Sequence, residues 1–282
     1  MRHRISRFLL TVFVMSAASF HRAEAADPDD RSAGEGWRLT WSDEFNGEAL
    51  DLKNWSYELG GGGWGNQELQ IYTANPENIR VENGSLVLQA LYNGGGADGY
   101  NYTSSRILSL GKSAVQYGKI AARIKLPRGQ GPWPAFWLLG ENIQTVGWPE
   151  CGEIDIMESG GYGGRDLITG AIHFKGETGY HSYFSKRASP SSGTSYDSYH
   201  TYEIEWDNKR VSWFMDGEKY FERPITGPYM RAFHKPFFLL LNLAVGGPDT
   251  PYTGRKSPDT TVFPQSMYVD WIRVYEKYPE DK

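Results

Sequence analysis

Glu153-Ile154-Asp155-Ile156-Met157-Glu158 is the stretch that decides how the rest of the chain is read. Side chains alternate faces along a strand, so Glu153 and Asp155 share one face while Ile154 and Ile156 take the other. Strict alternation would set Met157, not Glu158, beside the first two acids. One extra residue, a β-bulge around Ile156-Met157, returns Glu158 to the carboxylate face. A solvated strand face is the plain alternative. Against it, the acids interrupt an apolar run between Trp148-Pro149 and Gly160-Gly161. Like charges this close repel and raise at least one pKa, and a surface strand gains nothing from that. The spacing therefore favours a catalytic carboxylate set.

Around this strand the chain has 282 residues, a formal net charge of −5 and no basic run after the first residues. Nucleic-acid binding needs clustered Lys and Arg and is discounted. Residues 1–25 read as a secretory signal peptide: Arg2, Arg4 and Arg7, an apolar Phe8–Phe20, then Ala23-Glu24-Ala25 ahead of a cleavage point before Ala26. The apolar run is shorter than the about 20 residues a membrane span needs. A secreted location with no membrane partner is therefore expected. Residues 26–36 read as a disordered leader and 37–278 as a single domain. Cys151 is the one cysteine, so the core must hold without disulfides, and a plain packed thiol is expected rather than a nucleophile. Ten Trp, eighteen Tyr and thirteen Phe with 33 Gly suggest a cleft walled by rings and rimmed by loops.

Helical periodicity is nearly absent. Short β-rich runs, bounded by Gly, Pro, Asn or Asp, recur throughout: Ser85–Leu91, Thr103–Leu110, Val115–Leu126, Ala135–Leu139, Thr169–Phe174, His200–Trp206, Arg210–Met215, Phe237–Leu243 and Met267–Tyr275. Asp216-Gly217 between two of them signals a hairpin. Many antiparallel strands without helices make a sandwich of two sheets, and sheets this large must curve, leaving a concave face for a polymer. The glycine-rich Gly60–Gly63, Gly94–Gly96 and Gly160–Gly164 read as rim loops. No lysine and helix start follow the first, as a phosphate loop would require.

Two carboxylates facing one bond are the equipment of glycoside hydrolysis, and a carboxyl separation of about 5 Å would mean retention through a covalent intermediate. One glutamate then attacks as carboxylate and the other donates a proton, with Asp155 between them sharing a proton. The spacing does not say which glutamate plays which part. Trp133, Trp137 and Trp148 flank the acid strand as candidate sugar platforms, with core packing as the alternative for each.

At this point the residues resemble glycoside hydrolase family 16. The similarity is carried by Gly131–Gly140, Trp148–Glu158, Ala171–Phe174, Leu241–Gly247 and Met267–Tyr275, extended by Trp41–Phe45 and Asn66–Thr73. Within that family the chain looks like the laminarinases, the endo-β-1,3-glucanases. The resemblance implies an all-β fold, a β-jelly-roll sandwich of two curved antiparallel sheets of the concanavalin A-like type with a concave substrate cleft. It implies Glu153 as nucleophile, Glu158 as acid/base and Asp155 as the assisting acid. Asn66, Arg106, Trp133, Trp137, Trp148 and His173 fall where family members bind sugar. It also implies a structural calcium held by backbone carbonyls of Glu44 and Gly84 and the side chain of Asp270. No cofactor is required for hydrolysis, and a monomer acting on a polysaccharide is expected. A non-catalytic glucan-binding protein and a transglycosylase on the same sandwich are the alternatives. Sulfated polymers would require basic cleft groups, for which Arg106 and Arg165 are among few candidates.

Overall fold

The computed structural model describes residues 36–160, 166–250 and 252–278. The expected signal peptide 1–25, the leader up to residue 35, most of the Gly160–Gly164 loop and Arg165 lie outside the described residues.

The described residues form two sheets packed face to face, one of ten strands and one of eight. Pairing is antiparallel except between Gln70–Tyr72 and Tyr100–Ser104, which run parallel. The one α-helix among the described residues is the single turn Ile143–Val146. Most strand expectations hold with shifted ends, but two runs cross from one sheet to the other: Thr103–Leu110 divides into Tyr100–Ser104 and Arg106–Leu108, and Val115–Leu126 into Ala114–Val115 and Gly118–Lys125. His200–Trp206 and Arg210–Met215 match, while Ser85 starts a longer strand running to Ala97 that takes in Gly94–Gly96, expected as a rim loop. The Asp216-Gly217 turn has φ of 52° and 79°, the left-handed pair that a two-residue hairpin needs. The edge strand His181–Ala188 was not anticipated. Its alternation carries Ser, Lys and Arg where apolar residues would mark a strand.

The eight-stranded sheet holds the acid strand Glu153–Glu158 between Pro132–Gly140 and Ile168–Lys175, with His181–Ala188 outermost. On the other side of Pro132–Gly140 runs Phe237–Val245, followed by Arg106–Leu108. In the ten-stranded sheet, Gln265–Lys277 lies centrally. One of its edges pairs with Gly118–Lys125. The other is divided between Trp37–Asp43 and Ser85–Ala97.

The core lies between the sheets. Ile154, Ile156, Met157, Ile172, Phe136, Leu138 and Leu241 enter it from the eight-stranded sheet, and Ile120, Ile204, Trp206, Trp213 and Val269 from the ten-stranded one. With no disulfide, burial of this apolar surface is the main stabilising contribution. Cys151 is buried on the opposite side of the eight-stranded sheet, in a small cluster with Leu139, Phe238 and Leu240. Burial, and then the charge of Glu153, push its thiol up to about 11, so it stays protonated and unreactive.

Candidate active site

The bulge is present. Against Pro132–Gly140, the pairs Phe136–Met157 and Trp137–Asp155 are consecutive on one strand and skip Ile156 on the other. On the far side, Asp155 pairs with Ala171 and Glu158 with Thr169, three steps against two. Ile156 and Met157 therefore both turn inward, 1% and 0% exposed, while Glu153 and Glu158 remain partly accessible. Two consecutive apolar side chains enter the core, and the next acid returns to the outer face.

Each acid has its own partner. Trp148 Nε1 donates to Glu153 Oε2 at 3.0 Å. Trp133 Nε1 donates to Glu158 Oε1 at 2.9 Å, and its ring stacks on Tyr252 at 4.7 Å and 15°. His173 Nε2 lies 3.1 Å from Asp155 Oδ2 and 3.8 Å from Glu153 Oε1. The ligating-type atoms of Glu153, Asp155 and His173 sit within 4.8 Å of one another, close enough to share protons. From beneath, Trp213 Nε1 donates to the Asp155 carbonyl at 2.7 Å, tying the acid strand to the ten-stranded sheet.

Taking three carboxyls out of water disfavours their charged forms. Glu158 is held well above the ordinary glutamate range, first by burial, then by the charges of Asp155 and Glu153. Burial, then Asp155, push Glu153 up to about 8. Burial pushes Asp155 up to about 8 as well. These three rises are not independent. A proton resting on Asp155 removes its repulsion and lets Glu153 ionise, a form that His173 and the Trp148 N–H also favour. The arrangement keeps a proton on Glu158 and lets the Glu153–Asp155 pair hold a single negative charge.

The remaining sequence candidates form the neighbouring floor. Trp137 shares the outer face with Trp133 and donates to Asn242 Oδ1 at 2.8 Å. Asn242 donates to the Tyr72 hydroxyl at 3.2 Å, and that hydroxyl to Glu68 Oε2 at 3.4 Å. Asn66 is exposed and donates to Glu68 Oε1 at 3.2 Å. Arg106 has its guanidinium between the rings of Trp64 and Trp137, 4.9 and 5.0 Å from their centroids, and is paired with Glu58 at 2.5 Å. Glu58, Glu68, Tyr72, Asn242 and Tyr252 were not singled out from the sequence. Asn242 had a readable signal, being the one polar residue in Phe237–Val245, buried along its whole length.

Glu44, Gly84 and Asp270 lie apart from the acids. Asp270 belongs to Gln265–Lys277 in the other sheet. Its Oδ2 accepts a hydrogen bond from Arg123 Nη1. Both Glu44 carboxylate oxygens accept from Arg273 at 2.9 Å. Calcium takes about six to eight oxygen ligands. The one charged ligand expected here is already neutralised by a guanidinium, which a bound dication would also repel. These residues fit calcium poorly as they stand.

A two-sheet β-sandwich carrying a half-buried glutamate pair with a buried aspartate between, flanked by indoles, defines a glycosidase of the carboxylate-pair class. The model of the Glycosyl hydrolases family 16 matches residues 66–272. The Beta-glucanase of Rhodothermus marinus is 38% identical over 278 residues, covering 94% of this chain and 93% of that protein. The Glucan endo-1,3-beta-glucosidase A1 of Niallia circulans is 33% identical, and the match spans 91% of this chain but 41% of that longer protein. The laminarinase catalytic domain from Thermotoga maritima MSB8 superimposes with a TM-score of 0.76 at 40% identity, over 87% of this chain and 100% of that one. The chain belongs to glycosyl hydrolase family 16, and its sandwich is the β-jelly roll of that family's laminarinases.

Proposed function

We propose that this protein is an endo-acting β-1,3-glucanase that works by retention, with Glu153 as nucleophile, Glu158 as acid/base and Asp155 as the assisting acid. The observation that carries this reading is the bulge, which brings Glu158 back to the face of Glu153 and Asp155. Glu158 gives its proton to the glycosidic oxygen while the Glu153 carboxylate bonds to the anomeric carbon. Glu158, now ionised, takes a proton from water as that water displaces Glu153, and both groups return to their starting forms. Asp155 holds a proton beside Glu153 in the resting site, so that the Glu153 carboxylate carries the charge that attacks. Trp148, with 48% of its surface exposed, and the outer faces of Trp133 and Trp137 offer rings to sugar C–H faces.

The charge around the acids supports an uncharged polymer. The Glu153–Asp155 pair holds a negative charge, and Glu58 and Glu68 add carboxylates on the neighbouring floor. Arg106 is paired with Glu58, and Lys175 with Glu150 at 2.8 Å. A sulfated chain would meet net repulsion there. Purified protein is expected to release reducing ends from laminarin, more slowly from lichenan, and none above background from carrageenan. Laminarin left intact while a galactan is cut would overturn the reading.

Export follows from the reading of residues 1–25, since a polymer is degraded where it lies, and a monomer suffices because one chain supplies every group named. Among the described residues no helix is long and apolar enough to cross a membrane. With Arg123 on Asp270, calcium is expected to be dispensable: melting in millimolar CaCl₂ and in EDTA should agree within about 2 °C. A calcium-dependent rise of about 5 °C or more would show the ion displacing Arg123.

A further inference from the structure

His173 is held from two sides. Its Nε2 faces Asp155 and Glu153, and its Nδ1 lies 2.8 Å from Nε2 of His181 on the edge strand. The two imidazoles are nearly parallel, at 8° and 5.0 Å. Tyr183 stacks beside both, at 5.5 Å from His173 and 5.7 Å from His181. On its other side His181 packs against Trp148 at 4.6 Å. That tryptophan is the one whose N–H reaches Glu153. His181 thus touches both side chains that orient the nucleophile and its neighbour, while touching neither carboxylate.

We propose that His181 is a positioning residue for the reaction, fixing the His173 ring through the Nδ1–Nε2 hydrogen bond and the Trp148 indole through ring contact. This rests on the functional reading above. Only one proton fits between two facing imidazole nitrogens. When His173 is neutral with its proton on Nε2, toward Asp155, its Nδ1 must accept, and His181 donates. When His173 is charged, Nδ1–H donates and a neutral His181 accepts. In either state His181 supplies the missing partner, so the ring need not turn as the carboxyls gain and lose charge. Burial, then the charge of His173, hold His181 below the ordinary 6.5, which suits it to accept. The other charged groups facing it are Lys175, its cross-strand neighbour, and Glu150 from the turn after Trp148. These two neutralise each other at 2.8 Å. Tyr183 is the remaining titratable neighbour.

The test compares wild type with His181→Phe and His181→Gln. Phenylalanine keeps a ring against Trp148 and Tyr183 but loses the nitrogen. Glutamine keeps a polar group able to donate or accept. In His181→Phe, kcat on laminarin is expected to fall about tenfold, the size of one lost hydrogen bond to a charged partner, with KM changed less than about twofold. The acidic limb of kcat/KM should move to higher pH, because a charged His173 loses its acceptor and with it the field that favours ionised Glu153. His181→Gln should recover most of the rate and return the limb. A His181→Phe enzyme with wild-type kcat and an unmoved limb overturns the proposal. So does a His181→Gln variant as impaired as the Phe one. Imidazole ¹⁵N spectra separate failure of the inference from failure of the functional reading. A proton shared by His173 and His181 is expected in wild type and lost in His181→Phe whether or not any glucan is cut, and its absence in wild type also overturns the proposal.

Discussion

Replacing Glu153 by Gln is expected to lower laminarin hydrolysis at least about a thousandfold, equivalent to about 4 kcal/mol of transition-state stabilisation, while laminari-oligosaccharides still bind. An amide cannot form the glycosyl ester, yet it can still accept the indole N–H of Trp148. The same substitution is expected to stabilise the fold. Glu153 and Asp155 are each raised to about 8 in the folded chain, so between about pH 4 and pH 8 the folded pair holds a proton that the unfolded chain has released. Stability is then full below about pH 4 and declines as pH rises toward 8. Glutamine removes the ionisation. The melting temperature of Glu153→Gln should exceed wild type at pH 8, by about 2–4 °C for each kcal/mol recovered. The two should converge near pH 4.5. A variant that keeps a tenth of the activity, or that melts below wild type at pH 8, contradicts the assignment of Glu153 as a half-buried nucleophile.

The second large effect is structural. Trp213 is fully buried, and a Cβ on Gly170 would come within 2.6 Å of its ring, so the missing side chain of Gly170 is what admits the indole beside the acid strand. Trp213→Ala is expected to cost about 3–5 kcal/mol, the usual range for emptying an aromatic site in a core. It also strands the Asp155 carbonyl without its donor. Trp213→Phe should cost less, because it keeps most of the packing and loses chiefly the hydrogen bond. Denaturant midpoints at constant slope would measure both. If Trp213→Phe matches Trp213→Ala, the hydrogen bond outweighs packing at this site. If neither is destabilised, the acid strand does not depend on the tryptophan.

The acids and the bulge were legible because they obey a period of two and then break it by one residue, a pattern that survives without coordinates. Trp133, Trp137 and Trp148 were legible by their proximity in sequence to that strand. What was hidden is what the sheet assembles across the chain. His181 and Tyr183 sit on an edge strand whose Lys and Arg content masks its alternation. Glu58 reaches Arg106 from the residue just after a two-residue strand, Ser56–Tyr57, too short to announce itself. The Asp270–Arg123 pair joins residues 147 positions apart. Local pattern reports which face a side chain takes, but not which distant cation arrives there first.

The central place of Gln265–Lys277 in the ten-stranded sheet has a consequence for biosynthesis. Trp37–Asp43, Ser85–Ala97 and Gly118–Lys125 each present an edge to it, and it emerges from the ribosome after all of them. A nascent chain therefore carries three open edges until Gln265–Lys277 has emerged, and holdase chaperones have a long interval in which to engage it. A chain cut short before Gln265 would keep those edges permanently and is expected to accumulate as aggregate.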